Sequence, residues 1–135
     1  HEEFEIMKTH TTLGHDAIQR AETELGTNVE FLSCAKSIAL SHQEKWNGSG
    51  YPKGLAGDNI PIAARLMALA DVYDALISRR VYKASMVHDK AVEIIVAGKG
   101  SHFDPDIVDA FLDIQQEFQD IANRFADWDV AEVAA

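Results

Sequence analysis

Four residues of this chain could hold a metal ion and recur at helical spacing: His10, His42, Asp71 and Asp74. His10 follows Ile6 by four residues and precedes Leu13 by three, which places it on the apolar stripe of a helical segment. His42 lies three residues after Ala39 and seven after Ala35, on the inner face of a second segment. A histidine on such a face needs a partner, and a core hydrogen bond meets that need as well as a metal does. Met67, Ala70, Asp71 and Asp74 are spaced i, i+3, i+4, i+7, so both carboxylates share a face with apolar neighbours. Carboxylates are seldom buried unless paired or metal-bound; the plain alternative is that these two cap a loop or pair with Arg65 or Arg79. Taken together, two histidines and two aspartates on three inner faces form a mixed nitrogen and oxygen set suited to iron, manganese or zinc.

The elements that would carry them are helices. Phe4, Ile6, Met7, Leu13, Ala17 and Ile18 recur near helical spacing from Glu3 to about Leu25, where Gly26 ends the pattern. Gly14, inside that span, marks either a break or a close helix contact. Asn28 can cap a second helix running to about Glu44, with Val29, Leu32, Ala35 and Ala39 as its stripe. Residues 47–61 carry four glycines and two prolines and form a loop. Pro61 suits the first turn of a third helix reaching about Ile77. Asp89 to about Ala97 makes a shorter helix stopped by Gly98. Asp104-Pro105, an oxygen cap followed by proline, starts the last helix, with Ile107, Val108, Phe111, Leu112, Phe118, Ile121 and Phe125 on one stripe. No alternating strand pattern occurs, so the expected fold is all-α, with about five helices.

Composition narrows the function. A hydrophobic content of 47% supports a packed core in a chain of 135 residues. Net charge is −10, from 12 Lys+Arg against 22 Asp+Glu, which repels polyanions and argues against binding nucleic-acid polymers. A phosphorylated small molecule would need local positive charge, from a metal or a few placed cations. No apolar run approaches the ~20 residues of a membrane span. The single Cys34 forms no internal disulfide, and a reducing, cytoplasmic compartment is expected.

Five segments carry a more specific pattern. They are Met7-Lys8-Thr9-His10, the stretch from His42 to Pro52, Ala70-Asp71-Val72-Tyr73-Asp74-Ala75-Leu76, Ser78 through Lys83, and His102-Phe103-Asp104-Pro105. In order and content they resemble the HD-GYP family, metal-dependent phosphodiesterases that open cyclic di-GMP, over residues 3 to about 112. That resemblance implies an HD-domain helical bundle with the glycine-rich loop between its second and third main helices. It implies that His10, His42 and Asp71 ligate metal, and that Asp74 is a further polar group of the same catalytic site. Arg80 and Lys83 would then face the substrate phosphates, Lys83 also serving catalysis; otherwise they are solvated helix-end cations. Gly48, Gly50, Tyr51 and Pro52 would form the partner-contact loop, with Tyr51 also at the substrate. A complete domain of this kind carries two or three divalent ions. Its implied partners are cyclic di-GMP and a diguanylate cyclase or receiver-type signalling domain.

The departures bear on activity. The family's second histidine after His42 is Gln43 here, a poor transition-metal ligand. Its aspartate before the Gly-Ser-Gly turn is Asn47, and the usual proline after Arg80 is Val81. The His-Asp dyad that names the family is missing: His15-Asp16 and His88-Asp89 lack the Gly and Lys that follow it. The chain thus reads as a partial HD-GYP domain over residues 1–126, with a tail over 127–135. Loss of the dyad helix would uncover apolar surface, and a homodimer burying it is expected. The expected function is part of a cyclic di-GMP phosphodiesterase yielding pGpG or GMP, with doubtful metal occupancy and no significant hydrolysis by these 135 residues alone. The alternative is a degenerate module that binds the dinucleotide or a partner without turnover, a reading that Gln43 and Asn47 favour. A phosphohydrolase of another nucleotide is a third reading, opposed by the Gly-Tyr-Pro segment.

Overall fold

The computed structural model describes residues 1–26, 30–78 and 86–134, with side chains as far as residue 125. The helices are α1 (Glu2–Lys8), α2 (His10–Leu25), α3 (Glu30–Ser41), α4 (Ile62–Ile77), α5 (His88–Ala97) and α6 (Pro105–Ala134), with one 3-10 turn at Gly57–Asn59. No strand occurs among the described residues beyond two isolated bridges, Asn47 with Ala56 and Lys99 with Phe103. The fold is all-α, as the periodicity predicts.

The described helices number six rather than five because the first breaks at Thr9, not at Gly14. Thr9 Oγ1 donates to the Ile6 carbonyl at 2.6 Å, and His10 Nδ1 takes the Met7 carbonyl at 2.6 Å. These side chains capture carbonyls that a continuing helix would use, which favours a break. Gly14 instead lies inside α2 at a close contact: a Cβ there would sit 3.4 Å from the Ala39 Cβ on α3. At the far end of α2, Gly26 closes the helix in the left-handed conformation (φ 69°), donating to the Glu22 carbonyl.

Pro61 precedes α4, and Asp104 starts α6 with two separate bonds. Its Oδ1 accepts the Asp106 N–H at 2.9 Å as a cap, while its Oδ2 accepts Arg65 Nη1 at 2.7 Å. Arg65 also donates from Nε to the Ile60 carbonyl at 2.9 Å. The partner of Arg65 is therefore Asp104, with Asp58 at 3.6 Å, and neither Asp71 nor Asp74. α6 passes a non-helical Ile114 (φ −117°, ψ 16°) and continues to Ala134, beyond the boundary expected at residue 127.

The core lies in the second half of the chain. Leu69 and Tyr73 of α4, Ala91 and Ile95 of α5, and Val108 and Phe111 of α6 close around Phe103. Tyr73, Phe111 and Phe118 meet with ring centroids 4.9 to 5.9 Å apart. α2 packs on α3 and α3 on α4, yet Thr11 is the only buried residue of α2 and Ser41 the only one of α3. The apolar stripe expected to face inward on the first helix is largely uncovered: Ile6 is 70% and Leu13 64% exposed. His10, expected on a buried face, is consequently exposed as well.

Candidate metal and substrate site

The start of α2 and the end of α3 bring His10 and His42 together. Their Nε2 atoms are 3.2 Å apart and their ring centroids 5.2 Å. On the other side of each ring, His10 Nδ1 faces the Met7 carbonyl, and His42 Nδ1 faces the carbonyls of Ile38 at 2.8 Å and Ala39 at 3.1 Å. A carbonyl only accepts, so both Nδ1 atoms carry protons and both Nε2 lone pairs point at each other. Such lone pairs repel unless a proton or a cation lies between them. Backbone-tied Nδ1–H groups are also how metal-binding histidines are usually held. Two nitrogens about 2.0–2.1 Å from one ion and near a right angle to each other stand about 3 Å apart, so the pair fits a divalent ion.

The aspartates are less closely gathered. Asp71, on α4, lines the same cleft of about 470 Å³ as His42, together with Phe31, Cys34, Ile38 and Met67. Among the described residues, however, no three of His, Cys, Asp and Glu converge closely enough to hold an ion. Asp74 lies one turn beyond Asp71, exposed, and accepts the Ser78 hydroxyl at 3.1 Å. Arg80, Lys83 and Val81 lie outside the described residues. The two tempting His-Asp pairs are engaged elsewhere. His88 Nδ1 meets the Tyr73 hydroxyl at 2.9 Å, and His15 contacts Asp16 at 3.2 Å.

The glycine-rich loop reaches the histidine pair through Tyr51. Its ring stands edge-on to His10 and to Phe4, each at 6.3 Å, with Lys8 Nζ 5.6 Å from its centroid. Burial pushes the Tyr51 phenol up, which keeps its O–H available as a donor. Gly50 must be glycine for a steric reason: a Cβ would overlap the Gln43 carbonyl oxygen and the Glu44 Cα. Gly48 has φ +84°, and Asn47 Oδ1 accepts the Ser49 N–H at 3.0 Å and its hydroxyl at 2.6 Å, so the asparagine retains the turn.

Sequence reasoning overlooked Glu44. Its side chain is 2% exposed, and its carboxylate accepts the Lys53 N–H at 2.7 Å and the Leu55 N–H at 3.0 Å. It pins the loop beyond Pro52 to the end of α3. The only hint was an acid directly before a glycine-rich turn. Beneath the loop, Trp46 and Asn47 donate backbone N–H groups to the carbonyls of His102 and Ser101 at 3.1 and 2.9 Å. Burial, and Lys45 beside it, push the His102 imidazole below its ordinary pKa.

A family model described as HD domain matches residues 1–107. The chain belongs to the HD domain family. Within it, the resemblance to HD-GYP proteins holds, because the similar relatives carry that activity in their names. A Vibrio cholerae protein named probable cyclic di-GMP phosphodiesterase is 56% identical over 132 residues, covering 98% of this chain and 30% of the relative. A Thermotoga maritima cyclic di-GMP phosphodiesterase is 41% identical over 130 residues, covering 96% of this chain and 34% of the relative. Among solved structures, a cyclic GMP-AMP specific phosphodiesterase of Vibrio cholerae superposes with a TM-score of 0.63 at 26% identity, covering 89% of this chain and 28% of that one. This HD domain chain thus spans about a third of the length of the curated relatives it matches. HD-domain phosphodiesterases imply dependence on divalent metal. No helix among the described residues is long and apolar enough to cross a membrane.

Proposed function

We propose that this HD domain chain supplies part of the active site of a metal-dependent phosphodiesterase that hydrolyses cyclic di-GMP to pGpG or GMP. The observation that carries this reading is the histidine pair, with two Nε2 atoms 3.2 Å apart and both Nδ1 atoms committed to carbonyls. His10 and His42 would hold a divalent ion, iron, manganese or zinc, with Asp71 as the carboxylate ligand across the cleft. When bound, the ion supplies charge neutralisation at phosphorus and lowers the pKa of a water. Tyr51 donates its O–H toward the substrate beside that pair, and Gly50 and Glu44 hold Tyr51 in place. Asp74 adds a polar group one turn along α4, and Arg80 and Lys83 bind phosphate oxygens. We place the protein in the cytoplasm, with the Gly48–Pro52 loop facing a signalling partner and the exposed stripe of α1 and α2 covered by a neighbouring segment or a second copy.

A specific pair of observations favours the second reading, binding without turnover. Gln43 stands where the family has a second histidine, and no three ligand residues converge among those described. The deciding experiment is cyclic di-GMP hydrolysis by the intact protein, loaded anaerobically with ferrous iron or manganese, beside a Gln43→His variant. Turnover by the wild type, lost in His42→Ala, supports the enzyme. Turnover by Gln43→His alone marks a lapsed site and favours the binding module.

A further inference from the structure

Helix α3 divides its residues between two clefts. Cys34, Ala35, Ile38 and Ala39 face the histidine cleft, whereas Ser33, Lys36, Ser37, Leu40 and Ser41 face a second cleft of about 380 Å³. At about 3.6 residues per turn, these two sets lie on opposite sides of the helix. The remaining walls of the second cleft come from His15 of α2 and from Lys53, Leu55, Asn59 and Pro61 of the glycine-rich loop.

The chemistry of this second cleft opposes that of the chain as a whole. The protein carries 22 acidic residues, yet none lines the cleft, while two lysines do. Lys36 directs two of its three ammonium protons to Glu22 Oε2 at 2.6 Å and Gln19 Oε1 at 2.9 Å, which leaves one. Lys53 forms no ion pair among the described residues, and its backbone is fixed by the Glu44 carboxylate. The Ser37 hydroxyl and the Asn59 amide supply neutral donors, while the Ser33 hydroxyl is given to Glu22 at 3.4 Å; the only aromatic ring on the cleft wall is the His15 imidazole, with no Phe, Tyr or Trp beside it. Ammonium point charges among hydroxyls and amides suit a tetrahedral oxyanion.

We propose that this polar cleft between Lys36, Ser37 and Lys53 binds the phosphate group of a small ligand, at a site separate from the histidine cleft. Lys53 is two residues beyond Tyr51, on the segment that Glu44 holds, so an occupant draws directly on the loop that carries Tyr51 to His10. The inference does not depend on the proposed hydrolysis.

Pyrophosphate titration of the 15N-labelled protein at constant ionic strength tests it. Saturable shifts of the Ser37, Lys53 and Leu55 amides are expected, with a Kd of about 1 mM or tighter, and with the His42 ring signals unmoved. Lys53→Gln weakens binding by about fivefold or more, and Lys53→Glu abolishes it, whereas Lys90→Gln, far from any cleft lysine in sequence and already beside Glu93, leaves it unchanged. Lys53 is exposed, so these variants keep the fold, which a thermal melt verifies. Non-saturating shifts spread over surface lysines, saturable shifts centred on His10 and His42, or wild-type affinity in Lys53→Gln would each overturn the proposal.

Discussion

Replacing Glu44 with alanine should loosen the loop and destabilise the whole protein. The carboxylate is buried and accepts two backbone N–H groups, from Lys53 at 2.7 Å and Leu55 at 3.0 Å. Hydrogen bonds to a charged acceptor contribute about 1.5–3 kcal/mol each. Lys53 is exposed, so water recovers part of its loss, whereas Leu55 is half-buried and leaves its N–H poorly solvated. Removing the carboxylate also relieves its own desolvation. The net cost is therefore about 3 kcal/mol, at the low end of the simple sum of about 3–6 kcal/mol. Glu44→Gln keeps the shape but turns one acceptor into a donor that faces an N–H, and should cost about half as much. Urea denaturation of the three proteins gives these differences at constant m-value. Amide exchange gives the local effect, with protection of Lys53 and Leu55 falling about tenfold or more in the alanine variant. A loss under about 1 kcal/mol with both amides still protected would refute the account of how this loop is held.

Three further outcomes are expected. Asp104→Ala removes both the α6 cap and the partner of Arg65, whose side chain is 15% exposed, and should cost about 3 kcal/mol in chemical denaturation; adding Arg65→Met should recover part of it. The His102 pKa is lowered in the folded state by burial and by Lys45, so the unfolded chain takes up a proton first. Stability is thus full above about pH 6.5 and falls as pH drops below it, a slope that His102→Gln should flatten in a pH series of melts. Manganese or zinc should raise the melting temperature of the wild type but not of His10→Ala or His42→Ala; equal shifts in all three would remove the histidine pair from the metal site.

What the sequence disclosed follows the range of the interactions involved. Gly26, Pro61 and Asp104-Pro105 act within a turn of their own helices, and each marks a boundary where the spacing predicts one. The break at Thr9 depends on two side chains capturing carbonyls that the hydrophobic period ignores. Periodicity found the stripe on α1 and α2 but could not say what covers it, so His10 was expected inside and is exposed. His10 and His42 are 32 positions apart, and only the family resemblance suggested that they meet. Glu44 binds groups nine and eleven residues away, in a loop where no pattern reports partners.

The one-sided core has a consequence for how the molecule opens. Apolar burial is concentrated in α4, α5 and α6, while α2 and α3 bury only Thr11 and Ser41. Native-state exchange should therefore reveal two cooperative units, with the α2–α3 hairpin opening well below the global unfolding free energy. His10 begins that weaker unit and His42 follows its last residue in sequence, so the two rings touch only when the helices are closed together. Whatever engages both rings at once works as a latch on the hairpin, tightening it by RT ln(1 + [L]/Kd). Occupancy of the site and rigidity of the hairpin are then one equilibrium seen from two sides.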